Sequence, residues 1–252
     1  MQQKQSTSWH GVGKWYNELV SDKGHYFHQH LIIPNVLRLL HLEPNSRLLD
    51  LACGQGVLAR NISKNVLYLG IDIARSLVEI AKKQDHNPNH QYVIADVTQS
   101  LPIQEKDFTH ATVILALQNI ENPELVLVNV SRHLQPHGKL IIVLNHPCFR
   151  IPRQSSWVID EKNKLEYRRI NRYMSPLKIP INMHPGQSAS PVTWSFHHPL
   201  STYTQWFQSS GFVISKIEEW TSDKTSVGKF SRMENRSRSE FPLFLTFVCQ
   251  KI

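Results

Sequence analysis

The chain has 252 residues, 40% hydrophobic and 19% charged, with a formal net charge of +8 at pH 7. That length buries one good core with room for an insertion, and three cysteines (Cys53, Cys148, Cys249) without zinc-ligand spacing give neither a disulfide framework nor a metal site, which points to a reducing compartment. No apolar run approaches the roughly 20 residues of a membrane span; the polar start Met1-Gln2-Gln3-Lys4-Gln5 lacks a signal-peptide pattern, and the cytoplasm is the expected location.

Residues 1–45 read as a polar leader followed by helical patterns, including Ile33 to Leu42, with Pro34 at the helix start where its missing N–H is tolerated. Next comes Leu48-Leu49-Asp50-Leu51-Ala52-Cys53-Gly54-Gln55-Gly56, an apolar run that ends in an acid and breaks into a glycine turn. Gly54 and Gly56 allow a tight turn and a close approach to a ligand, and Val57 to Ser63 reads as a helix whose first amides face the same crevice. Gly54, Gly56 and Ala59 fit the dinucleotide pattern G-x-G-x-x-A, with Asp72 closing the next strand about 20 residues on. Asp50 argues against a pyrophosphate, which it would repel; it would attract a ligand carrying an ammonium and a sulfonium.

Between Arg47 and Leu144, short apolar strands (Leu67 to Asp72, Tyr92 to Val97) alternate with amphipathic helices (Ala74 to Gln84, Pro123 to His133). Such alternation predicts a doubly wound α/β fold, a parallel sheet with helices on both faces. Right-handed crossovers then gather Asp50, Asp72 and Asp96 on one edge.

These residues, in this order, resemble the class I S-adenosylmethionine-dependent methyltransferases, which bind their cofactor through a D-x-x-x-G-x-G turn. Asp107 to Leu117 resembles the family's fourth strand and Leu134 to Leu140 the turn into its fifth, Leu140 to Leu144. The resemblance implies that Asp72, with Ile73 beside it, holds the ribose hydroxyls, that Asp96 accepts from the adenine amino group while Val97 offers a backbone amide, and that Leu115 adjoins the cofactor. It also implies that residues 1–45 cover the cofactor, with Tyr16 and Trp15 as candidate contacts, although aromatics at helical spacing are more often core. It further implies a mostly parallel seven-stranded sheet whose last two strands, Val213 to Trp220 and Leu243 to Val248, form an antiparallel edge. The cofactor-binding core is then 46–144, and 201–252 carries the last helix and strands within a single methyltransferase domain.

The helix expected after the fifth strand is delayed to Ser201–Phe207, with Ser201 as N-cap and Gly211 at the stop. Residues 145–200 are therefore an inserted lid over the active edge, containing a hairpin from Trp157 to Asp160 and Leu165 to Tyr173. His146, at the strand tip and titrating near neutral pH, is the candidate general base; it could equally pack or bond to backbone. Gln118 and Asn119 are candidate positioners of the acceptor or simple turn formers, and Arg150 and Arg153 are candidate ligands for an anionic group. The basic stretch Gly228 to Arg238 reads as a solvated loop, with Arg232 and Arg236 as secondary acceptor ligands if it pairs with the lid.

In-line methyl transfer needs alignment and exclusion of water more than it needs a metal, so none is expected. The acceptor is expected to be a small polar or aromatic molecule. RNA or protein is the alternative acceptor, since the chain is basic and Pro147-Cys148 resembles the position of an RNA-modifying cysteine nucleophile, though the other motifs of those enzymes are absent. A nicotinamide-dependent oxidoreductase and a noncatalytic cofactor-binding module are the remaining readings. Neither the acceptor nor the oligomeric state is legible in the sequence.

Overall fold

A computed structural model describes residues 25–182 and 192–252. The predicted contacts of Trp15 and Tyr16 lie outside these residues. Helix α1 (Ile33–Leu40) follows a π-helical turn at His28–Ile32, and Pro34 sits in its first turn. The strands β1 (Arg47–Leu51), β2 (Leu67–Asp72), β3 (His90–Ile94), β4 (Phe108–Ile114) and β5 (Leu134–Asn145) alternate with α2 (Arg75–Gln84) between β2 and β3 and α3 (Pro123–His133) between β4 and β5. An insertion carries β6 (Ser155–Asp160), β7 (Leu165–Ile170), β8 (Leu177–Asn182) and β9 (Val192–His197); then follow α4 (Leu200–Ser209), β10 (Phe212–Trp220), α5 (Ser231–Glu240) and β11 (Phe244–Lys251).

The main sheet is seven-stranded in the order β10-β11-β5-β4-β1-β2-β3, with β1 to β5 parallel and β11 antiparallel to both of its neighbours. Period-two alternation along each strand sorts its side chains into two buried layers. Leu49, Leu51, Ile142 and Leu144 meet α3 and α4 on one face, while Leu48, Tyr68, Ile141 and Val143 meet α1 and α2 on the other. Asp50, in phase with Leu48, therefore emerges on the α1–α2 side.

Several expectations are corrected by local chemistry. Residues 57–63 form turns and a short 3-10 segment, Ala59–Asn61, instead of an α-helix. The Asn61 side-chain amide donates to the Val57 carbonyl at 2.7 Å, occupying the acceptor a further helical turn would need, while the Asn61 backbone N–H bonds to Leu58. Strand β5 begins at Leu134, earlier than Leu140. Helix α4 starts at Leu200 without the Ser201 cap, because the Tyr173 hydroxyl accepts the Leu200 N–H at 3.0 Å. The basic stretch read as a loop contains α5, a polar helix whose Met233 and Ser237 are buried and whose Ser237 hydroxyl donates to the Glu166 carbonyl on β7. The second hairpin of the insertion, β8–β9, was not anticipated.

Candidate active site

The strand tips of β1, β2 and β4 and the loop after β3 enclose a cleft of about 320 Å³ lined by Ala52, Gly54, Asp72, Ile73, Asp96, Val97, Leu115 and Asn119, among others. Its shape depends on unusual backbone. Gly54 and Gly56 have φ of +57° and +74°, and Ala52 and Leu115 also lie in the left-handed region at +56° and +52°, a strain typical of functional turns. A Cβ at Gly54 would point into open space, whereas one at Gly56 would come within 2.7 Å of the Tyr92 hydroxyl. The two glycines thus do different jobs: Gly54 faces the cleft, and Gly56 lets the turn sit against β3.

Asp72 is buried and locks this turn, since its Oδ2 accepts the Gly54 N–H at 2.9 Å and its Oδ1 the Ala74 N–H at 2.8 Å. In Asp96, Oδ1 accepts from the Thr98 backbone and hydroxyl at 2.9 and 2.7 Å, while Oδ2 carries no hydrogen bond among the described residues. Asp50 sits deeper. Its two oxygens accept from the Tyr68 and Thr112 hydroxyls at 2.7 and 2.8 Å, and burial, opposed by these bonds and assisted by the nearby Asp72 charge, pushes its carboxyl up to about 6. Asp50, Ala52, Gly54 and Ile114 also line a neighbouring cavity of about 50 Å³.

The deep glycine-turned cleft with acids at successive strand tips has the character the sequence predicts. The methyltransferase-domain family model matches residues 49–142, spanning the glycine turn and all three acids. A 2-phytyl-1,4-naphtoquinone methyltransferase of Nostoc punctiforme is 30% identical over 172 residues, covering 61% of this chain and 74% of that protein. The chain belongs to the class I S-adenosylmethionine-dependent methyltransferase family. A demethylmenaquinone methyltransferase of Staphylococcus haemolyticus is 22% identical over 205 residues, 77% of this chain and 80% of the relative. In fold, a methyltransferase from Mesorhizobium loti matches with a TM-score of 0.67 at 22% identity, covering 86% of this chain and 96% of that one.

In this methyltransferase, the other predicted residues scatter. Gln118 and Asn119 both donate to the Leu115 carbonyl, at 2.8 and 3.3 Å, and so hold the left-handed Leu115 in place. His146 is buried with both ring nitrogens engaged: Nε2 is 2.6 Å from Glu219 on β10, and Nδ1 accepts the Cys148 N–H at 3.2 Å. Burial outweighs Glu219 and depresses its pKa, leaving a neutral ring that ties β5 to β10 and lies outside the lining of the strand-tip cleft. The Cys148 thiol is pushed up by burial, which disfavours its thiolate form.

Arg150 lies elsewhere, in a second chamber of about 350 Å³ with Phe27, Trp157, Glu166, Arg238 and Phe241. Its guanidinium donates to Asn145 at 3.1 Å and lies 5.7 Å from the Phe244 ring centroid. Arg153 and Arg232 are exposed. Arg236 donates to the Lys164 carbonyl at 3.2 Å and Ser237 to that of Glu166 at 2.9 Å, so the segment after β10 does pair with the lid hairpin, through backbone acceptors. The second hairpin reaches the cleft rim, where Lys178 meets Glu121 at 2.8 Å. Among the described residues no cluster of metal-ligating side chains occurs, and no helix is long and apolar enough to cross a membrane.

Sequence reasoning missed Tyr68 and Thr112, which clothe Asp50. Both stand in phase with it on adjacent strands, a register that only strand pairing reveals.

Proposed function

We propose that the chain transfers the methyl group of S-adenosylmethionine to a small aromatic acceptor bound in the Arg150 chamber. The bound cofactor supplies an electrophilic methyl on a sulfonium. The strand-tip cleft fits it: Asp72 and Ile73 would hold the ribose, Asp96 and Val97 the adenine, and Gly54 and Leu115 would border its length. Asp50 supplies the negative charge that favours the cationic end, and Gly56 seats the turn.

The observation that carries the acceptor reading is the chamber itself. Phe27, Trp157 and Phe241 offer ring-sized apolar walls, and Arg150 and Arg238 offer donors for a polar or anionic substituent. Glu166 and Glu234 share those walls, which suits a substituted ring better than a polyanion such as RNA. The relatives named for a naphthoquinone and for demethylmenaquinone act on ring compounds of this kind by their names. In this account Arg150 orients the acceptor, the aromatic walls and lid exclude water, and His146 fixes the β5–β10 junction that carries Arg150.

The test is incubation of the purified protein with methyl-labelled S-adenosylmethionine and cell extract, followed by separation of small molecules, RNA and protein. Label among small molecules is expected. Label confined to RNA or protein would overturn the acceptor reading.

A further inference from the structure

The aromatic chamber carries Arg150, Arg238, Glu166 and Glu234 in its walls, and among the described residues none of these four takes part in an ion pair. Arg150 is the most firmly held. Its Nη1 donates to the Asn145 side-chain oxygen at 3.1 Å, and the centre of its guanidinium lies 5.7 Å from the Phe244 ring centroid. Asn145 on β5 and Phe244 on β11 do not line the chamber, so the sheet grips the guanidinium from the far side and leaves the chamber side open.

What remains open has a definite shape. Nε and Nη2 make no hydrogen bond among the described residues, and neither is one of the buried unpaired nitrogens, so both keep surface that a ligand can reach. These two atoms share one edge of the guanidinium, and their parallel N–H groups match both oxygens of a carboxylate. Charge points the same way. Burial, with the Arg168 charge contributing, holds the Arg150 pKa below the usual guanidinium range. Arg168 itself donates to the Phe149 carbonyl at 2.8 Å and the Ser155 hydroxyl at 2.9 Å and lies over the Trp157 ring, with no carboxylate partner among the described residues. Two neighbouring cations half-withdrawn from water without a counter-ion are costly until an anion joins them.

We infer that the acceptor is an aromatic carboxylate: its ring lies among Phe27, Trp157 and Phe241, and its carboxylate takes the Nε–Nη2 edge of Arg150. This rests on the reading of the chamber as the acceptor site and narrows the ring compound to an organic acid. Glu166 and Glu234 in the same walls make a second anionic group on that ring unfavourable.

Calorimetry on the protein saturated with S-adenosylhomocysteine tests it with two probes, 2-naphthoate and 2-naphthamide, which share rings and shape and differ in charge. Naphthoate should bind about tenfold more tightly, the scale of hydrogen bonds to a charged group. Arg150→Gln should bring the two probes level while leaving S-adenosylhomocysteine affinity unchanged, and Arg150→Lys, a point charge without the fork, should keep only part of the preference. Equal binding of the two probes to the unaltered protein overturns the proposal, as does a preference for naphthoate that survives in Arg150→Gln. Should Arg150→Gln also lose S-adenosylhomocysteine, Arg150→Lys carries the comparison, and an undiminished preference there overturns the proposal. Binding of S-adenosylhomocysteine with no binding of either naphthalene would instead overturn the chamber as a ring site, and this proposal with it.

Discussion

The strand-tip cleft and the chamber beside the lid are built on different principles. The strand-tip cleft is made of backbone: its acids bond mainly to main-chain N–H groups and hydroxyls, and its curvature comes from left-handed residues at fixed points on a doubly wound sheet. The chamber beside the lid is made of side chains, with rings and guanidinium groups contributed by the insertion, α5 and the segment before α1. The first is tied to the sheet register and suits an invariant ligand. The second is built from side chains that meet the sheet through Arg150 on Asn145 and Phe244, and is the half proposed to select the acceptor.

Breaking the first half should have the largest effect. Asp72→Ala removes the acceptor for Gly54 and Ala74 as well as the proposed ribose ligand, and should weaken S-adenosylhomocysteine by more than tenfold in calorimetry. Unchanged affinity would remove Asp72 from the cofactor site.

Asp50→Asn should separate binding from stability. With its folded pKa raised to about 6, above the usual carboxylate value, Asp50 takes up a proton on folding in the window from about pH 4 to 6. Its contribution to stability is therefore most favourable below that window and declines as pH rises through it. Asp50→Asn should abolish this decline, so that its stability relative to the native chain improves between pH 4.5 and 7.5 by on the order of 1–3 kcal/mol, as read by urea denaturation. Cofactor affinity should fall in the same variant, a stability–function exchange common at binding sites. A pH-independent stability difference would contradict the burial argument.

The second half is sharpened by Arg150→Ala, expected to raise the acceptor KM several-fold with little change in S-adenosylhomocysteine affinity. Loss of cofactor binding in this variant would merge the two halves into one. The smallest effect is expected from Arg236→Ala, because that exposed side chain contributes one long bond to a backbone carbonyl; thermal unfolding should shift by no more than about 0.5 kcal/mol in equivalent stability.

The same contrast explains what could be read from sequence. The cleft was legible because an apolar run, an acid and a glycine turn each impose a local conformation, and period-two strands fix which tips align. Asp72, Asp96, Val97, Leu115 and Gly54 all line this cleft, on the edge where the resemblance places the cofactor. The lid was less legible because its elements depend on partners distant in sequence. Helix α5 has a strongly polar sequence, and its buried Ser237 bonds to the Glu166 carbonyl on a hairpin 71 residues earlier. The β8–β9 hairpin carries Pro180 inside a strand, a residue that argues against one in sequence, and Pro180 is accommodated in an isolated two-stranded sheet, where an edge position needs no donor. For His146 the sequence leaves base and packing roles open because nothing local announces Glu219, which β10 brings to it from 73 residues away.

The division of labour is tested most directly by amide hydrogen exchange with and without S-adenosylhomocysteine. The account predicts slowed exchange at Gly54 to Gly56, Ile73 to Ala74, Val97 to Thr98 and Leu115 to Ala116, with β6 and β7 unaffected. Protection confined to the β6–β7 hairpin, or absent from the strand tips, would contradict it.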